Sequence, residues 1–186
     1  MSELDISQVC HSIRGCIDEV LDHAPDGAIF VESGCYLGTT TYYFVKRLLM
    51  TGKKFQYYCI DNWKLDNIVG DSPIPDGDNL EFFKNTIKEV KDHVNIICSD
   101  SIEAIKEFAD DSVYFAFLDD CHQYEHVTKQ VPAWVPKMKD HSYLAGDDFY
   151  SPLVQKGVFD HFDDLDVVRI DRCGFYVKNP KEKINE

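Results

Sequence analysis

Positive charge is scarce in this chain. Its 186 residues carry 19 Lys and Arg against 33 Asp and Glu, a formal net charge of −14. Affinity for a nucleic-acid backbone rests on clustered cations, so nucleic acid is excluded as the main partner, and an anionic membrane surface with it. No apolar run approaches the roughly 18 residues that a spanning helix needs. The opening residues, MSELDISQVC, hold neither a basic region nor an apolar stretch, so no secretory signal is read there. Seven cysteines (10, 16, 35, 59, 98, 121 and 173) form no C-x-x-C pair. An odd set without a secretion signal is expected to stay reduced, which leaves zinc-ribbon and dithiol-redox functions poorly supported. Several lie in apolar runs (YYCID, NIICSD), where a thiol behaves as a small hydrophobe. The expectation is a cytoplasmic globular protein.

Short apolar runs alternate with amphipathic stretches from end to end. Leu4, Val9, Ile13, Ile17, Val20 and Leu21 form a helical stripe over 4–22. Strands are read at 28–34, 54–61, 94–100, 112–120 and 142–148, with helices at 38–51, 79–93, 101–109, 122–138 and 152–162. Pro132 and Pro136 must end or kink the helix at 122–138. Residues 64–80 form a breaker-rich loop, and 166–179 read as two strands joined by a turn near Arg172 to Gly174. Helix-length connections imply right-handed crossovers and a parallel sheet covered on both faces. The closing short turn places the last strand antiparallel beside its neighbour. The reading is one α/β domain over 1–186: a doubly wound, mostly parallel seven-stranded sheet in 26–178, an N-terminal helix in 1–25 and a tail in 179–186.

Ligands of open α/β sheets bind at the carboxyl ends of the strands, and here each parallel strand delivers an acid to that edge. The first gives Glu32, Gly34 and Gly38; the second Asp61, then Asn62 and Trp63; the third Ser99, Asp100 and Ser101. The fourth gives Asp119, Asp120 and His122, and the fifth Gly146, Asp147 and Asp148. Tyr36 stands where G-x-G-x-x-G has its middle glycine, so pyrophosphate binding is not indicated. The acid in the loop would also repel a phosphate. Asp61, at the tip of the second strand, can accept both hydroxyls of a ribose. A loop suited to a cation beside a ribose acceptor suggests a nucleoside with a cationic tail, the shape of S-adenosylmethionine. Asp120 is assigned to the surface, and Trp63 either borders the nucleoside or packs as a core or lid aromatic.

The segments VESGCYLGTTTYYF, YYCIDNW, CSDSIEAI, FLDDCHQYEHV and YLAGDDFYSPLVQKGVFDHF follow one another in order and spacing. Over about 26–178 this series resembles the class I S-adenosylmethionine-dependent methyltransferases, and within them the metal-dependent macrocin- and catechol-type O-methyltransferases. The resemblance implies a Rossmann-like methyltransferase fold in which Glu32 and Gly34 line the methionine moiety, with Tyr36, Gly38 and Thr39 in the same loop. It further implies that Asp61, with Asn62 and Trp63, holds the ribose side and that Asp100 and Ser101 border the adenine. Asp119, Asp147 and Asp148 would bind Mg²⁺ or another divalent ion, Asp119 also facing the cofactor, and His122 would be the general base.

The chemistry supports that assignment on its own terms. Converging carboxylates repel unless a cation or protons compensate, and oxygen ligands suit a hard ion. A substrate hydroxyl on such an ion has its pKa lowered, and an imidazole can take the proton. Other readings stay open at this stage. Asp147 and Asp148 could form a solvated turn, His122 could be an exposed residue at a helix start, and His122 with His126 could make a zinc site. The expected function is methyl transfer to a small hydroxylated acceptor. The competing one is a noncatalytic S-adenosylmethionine-binding module. Any substrate cap must come from the N-terminal helix, the 64–80 loop or a second copy of the chain.

Overall fold

The computed structural model describes residues 9–64 and 78–185. Seven strands form one sheet: β1 (Ala28–Ser33), β2 (Phe55–Asp61), β3 (Val94–Cys98), β4 (Val113–Leu118), β5 (Met138–Gly146), β6 (Val167–Ile170) and β7 (Gly174–Lys178), in the spatial order β3-β2-β1-β4-β5-β7-β6. β1 to β5 pair in parallel, and β7 runs antiparallel to both β5 and β6. The mostly parallel sheet and its closing antiparallel strand are those read from the sequence.

Helices α1 (His11–His23), α2 (Thr39–Thr51) and α3 (Asn79–Thr86) cover one face; α4 (Ser101–Ala104), α5 (Tyr124–Trp134) and α6 (Pro152–Phe159) cover the other. Successive strand residues point to opposite faces, and the two cores divide accordingly. Phe30, Phe115, Phe117 and Ala145 pack with α1 to α3, whereas Val31, Ala116, Leu118 and Leu144 pack with α4 to α6. Both faces being covered, the central strands carry unbroken apolar runs.

Register brings the strand tips level. Ser33 pairs with Ile60 and Leu118, Leu118 with Gly146, and Asp61 with Cys98. The residue after each tip therefore lies on one edge.

Several boundaries differ from the sequence reading. The helix expected at 79–93 stops at Thr86, and a one-turn 3-10 segment, Lys91–His93, leads into β3. The turn between them, residues 87–90, buries both Ile87 and Val90. α4 likewise passes into a 3-10 turn at Ile105–Glu107. α5 gives way to Val135–Lys137, so β5 begins at Met138, four residues before the expected start. Pro132 stays inside α5. It has no N–H for the Thr128 carbonyl four residues back, and the His161 Nε2 takes that carbonyl at 2.8 Å. The tail forms a further turn, α7 (Pro180–Lys183), and Ile184 bridges to Phe162. The start of the stripe at 4–22 and most of the 64–80 loop lie outside the described residues.

Candidate functional site

The loop after β1 depends on backbone that favours glycine. Gly34 has φ +86°, and a Cβ there would lie 2.1 Å from the Asp119 carbonyl oxygen, so the β1 and β4 tips touch only because the side chain is absent. Gly38, at φ +84°, would meet the Phe83 ring at 2.8 Å. Between them Tyr36 is also left-handed, at φ 45°.

Asp61 secures this loop. Its Oδ2 accepts the Cys35 and Tyr36 N–H groups, each at 2.9 Å, and its Oδ1 accepts the Trp63 N–H at 2.7 Å. Three of about four carboxylate acceptor sites are thus committed, which leaves one for a ligand rather than the two that a pair of ribose hydroxyls requires. Trp63 donates its indole N–H to the Tyr36 carbonyl at 3.0 Å and rests its ring on Phe83. Asn62 accepts the Lys64 N–H. Thr39 opens α2, behind the loop.

Glu32 departs from its expected place. It is 1% exposed, and its Oε2 accepts the hydroxyls of Thr41 at 2.6 Å and Tyr57 at 2.8 Å. The carboxyl group is enclosed beneath the loop rather than presented at the edge. Burial pushes its pKa up to about 8, against those two hydrogen bonds. The thiols of Cys35 and Cys59 lie beside it, also buried.

The acids of β4 and β5 gather around His122. The Asp119 N–H bonds to the Ser33 carbonyl and the Asp147 N–H to that of Leu118, so ladder-type bonds carry both past their strands. His122 Nδ1 lies 2.8 Å from Asp148 Oδ2, and its Nε2 lies 3.6 Å from Asp119 Oδ1. That Nε2 is shielded from solvent and has no hydrogen-bond partner among the described residues. Asp147 turns the other way and accepts the Cys10 thiol at 3.1 Å and the Ser12 hydroxyl. The ligand atoms of Cys10, Asp119 and Asp147 all lie within 4.8 Å of one another.

The three expected metal ligands therefore do not form one set. Asp119 and Asp147 converge with Cys10, while Asp148, at φ 52°, turns to His122. Two carboxylates with a third one side chain away still fit a hard divalent ion.

Charge follows from this packing. Burial pushes Asp119 up to about 7; the His122 imidazole opposes the rise, and the like charges of Asp147 and Asp148 add to it. Burial disfavours the His122 cation, but the carboxylates of Asp119 and Asp148 on either side of the ring outweigh it and hold the imidazole near 10. The His122 hydrogen bond keeps Asp148 below the ordinary carboxylate range. The Cys10 thiol is pushed far up, first by burial and then by Asp119 and Asp147, so it stays protonated. The exposed Tyr150 hydroxyl reaches Asp148 at the rim.

Asp120 corrects the surface assignment. Its Oδ2 lies 3.2 Å from His126 Nε2 and accepts from Gln130 Nε2 at 2.9 Å and Ser33 Oγ at 3.3 Å. His126 Nε2 also lies 3.1 Å from Ser101 Oγ. Although burial opposes it, the His126 hydrogen bond and charge hold Asp120 below the usual carboxylate range. His126 is thereby committed to Asp120 and Ser101 rather than to a zinc site with His122. Asp100 caps α4, its Oδ1 taking the N–H groups of Ile102 and Glu103. The sequence reading missed Cys10 and Ser12, which carry no local signal. It could have found Gln130, which shares a helix face with His126 one turn away.

The family described as a methyltransferase domain matches residues 31–149. Solved structures share the fold at low identity. The O-methyltransferase NovP is 17% identical, with a TM-score of 0.65, over 89% of this chain and 77% of its own. CalS11, a TDP-rhamnose 3'-O-methyltransferase of calicheamicin biosynthesis, is 15% identical, with a TM-score of 0.64, over 90% and 76%. A Clostridium thermocellum protein assigned as an rRNA-methylase is 10% identical, with a TM-score of 0.62, over 90% and 96%. No curated protein matches the sequence.

Proposed function

Because this chain belongs to the methyltransferase-domain family, we propose that it moves the methyl group of S-adenosylmethionine to a hydroxyl of a small molecule, with a divalent ion assisting. The observation that carries this reading is the His122 imidazole, set between Asp119 and Asp148 with an uncommitted Nε2. An oxygen nucleophile must lose a proton, and that nitrogen can accept one. NovP and CalS11 are O-methyltransferases by name, which favours oxygen. The net charge of −14 speaks against an RNA acceptor, although an rRNA-methylase shares the fold.

The methyl donor would lie against the loop from Gly34 to Gly38, whose shape Asp61 maintains, with Asn62 and Trp63 beyond it and Asp100 and Ser101 at the far wall. Asp119 faces both donor and acceptor. A divalent ion, when held by Asp119 and Asp147 with Asp148 nearby, supplies positive charge that lowers the pKa of an acceptor hydroxyl. His122 takes the proton at Nε2 only when neutral, and the acids that keep it charged are those an ion would occupy. The acceptor oxygen attacks the sulfonium methyl in line; the S–C bond breaks and S-adenosylhomocysteine leaves. Holding the two reactants in that line supplies much of the acceleration.

The test is incubation with methyl-labelled S-adenosylmethionine and a panel of catechol and sugar acceptors, with and without EDTA, beside calorimetry with S-adenosylhomocysteine. Labelled ether product that disappears on chelation is expected. Absent S-adenosylhomocysteine binding refutes the donor assignment, and transfer that survives exhaustive chelation refutes the role of the ion.

A further inference from the structure

Asp120 and His126 take no part in that chemistry, yet they occupy the centre of the donor edge. Their side chains are 17% and 18% exposed. Asp120 follows directly on Asp119, and one of its oxygens receives groups from two elements: Ser33 at the β1 tip, and His126 and Gln130 on α5. His126 reaches a third, the Ser101 hydroxyl at the start of α4. Gln130 Nε2 also lies 3.2 Å from Ser33 Oγ, which closes the network on the β1 side.

Ser33 precedes the glycine loop, and Ser101 follows the β3 tip. These are the two sides of the cleft in which the donor would lie. A charged pair fixed by several hydrogen bonds holds its geometry better than isolated neutral contacts do. We propose that the Asp120–His126 pair is a positioning device that sets the separation of the glycine loop from the β3–α4 turn, and with it the affinity for the methyl donor. His126 acts through Ser101, and Asp120 through Ser33. The claim rests on the donor reading above and extends it to residues that touch neither donor nor acceptor.

The experiment is calorimetry with S-adenosylhomocysteine on the full chain. His126→Leu and Ser33→Ala, which cut the bridge on its α5 and β1 sides, should each lose about tenfold in affinity, the size of one lost hydrogen bond. Their double variant should lose no more than either alone, because both break the same link. His126→Gln, whose amide can donate to Asp120 and accept from Ser101, should stay within about threefold of wild type. The kcat at saturating S-adenosylmethionine should stay within about twofold throughout, since His122 and its acids keep their places.

If His126→Leu fails to fold because Asp120 is left as an unpaired charge, Asp120→Asn/His126→Leu removes that charge and enters the same comparison. Additive losses, unmoved affinity in Ser33→Ala, or a fall in kcat without a change in affinity would each overturn the proposal. Wild-type chain that does not bind S-adenosylhomocysteine overturns the donor reading and this inference together. Wild-type binding with unmoved variants overturns the inference alone.

Discussion

Replacing Glu32 with Gln separates what the buried carboxyl does for folding from what it does for a ligand. In the folded chain burial lifts its pKa to about 8, against an ordinary value of 4.5. Between those values the unfolded chain has released the proton while the folded chain keeps it, so rising pH favours unfolding. Each pH unit in that window costs about 1.4 kcal/mol. The loss therefore reaches about 3 kcal/mol at pH 7 and levels off near 5 kcal/mol above pH 8. Against a total stability of about 5–15 kcal/mol that is a large fraction. Gln keeps an oxygen for the Thr41 and Tyr57 hydroxyls and has no proton to release. An amide N–H short of an acceptor would cost about 1–3 kcal/mol, but at every pH alike. Urea unfolding of both proteins at pH 5, 6, 7 and 8 should show curves that diverge, wild type falling relative to Glu32→Gln by about 3 kcal/mol between pH 5 and pH 8. Parallel curves would refute the argument. Because the group is enclosed, affinity for S-adenosylhomocysteine should stay within about threefold.

Gly34→Ala pushes a Cβ against the Asp119 carbonyl at φ +86° and should cost at least about 2 kcal/mol in urea unfolding; a loss under about 0.5 kcal/mol would mean that the two tips part easily. Asp61→Ala releases the Cys35 and Tyr36 amides and should weaken S-adenosylhomocysteine at least about tenfold by calorimetry, equal affinity sinking the placement. His122→Ala should lower methyl transfer by about 10²–10⁴ with donor affinity unmoved. A loss under tenfold at saturating ion would leave His122 as a pocket wall. With the imidazole held near 10 by Asp119 and Asp148, an NMR titration of His122 without divalent ion should show the ring charged at about pH 8 and losing its proton near pH 10; titration near the ordinary value of about 6.5 would refute that arrangement.

The strands were legible because burial on both faces writes them as unbroken apolar runs, such as VYFAFL in β4. The glycines and Asp61 were legible because left-handed backbone and a tip acid leave residue-type signatures. Other features were not local. The alternation that assigns faces ends with β4 at Leu118, so nothing in the sequence says whether Asp119 or Asp120 turns inward, and both do. Asp147 was found, but its partners Cys10 and Ser12 stand 137 and 135 residues away. Asp148 was read with the metal ligands, although its backbone turn delivers it to His122. Glu32 lies at a site-like position in the loop motif, and only the packing of Thr41 and Tyr57 reveals that it is enclosed.

The contact of Cys10 and Ser12 with Asp147 bears on the order of assembly. Ser12 also lies against Gly174, where a Cβ would come within 2.2 Å of the serine hydroxyl, and β7 must already be seated on β5 for that packing to exist. The acid cluster is thus stitched from segments near opposite ends of the described chain, whereas β1, β2 and β3 join through crossovers between near neighbours. Contacts of such long sequence separation form late, after their loop entropy has been met. Amides of β1 and β2 should gain exchange protection before those of β7 do. Partly folded chains would then hold the glycine loop after β1 without the acid cluster beside it.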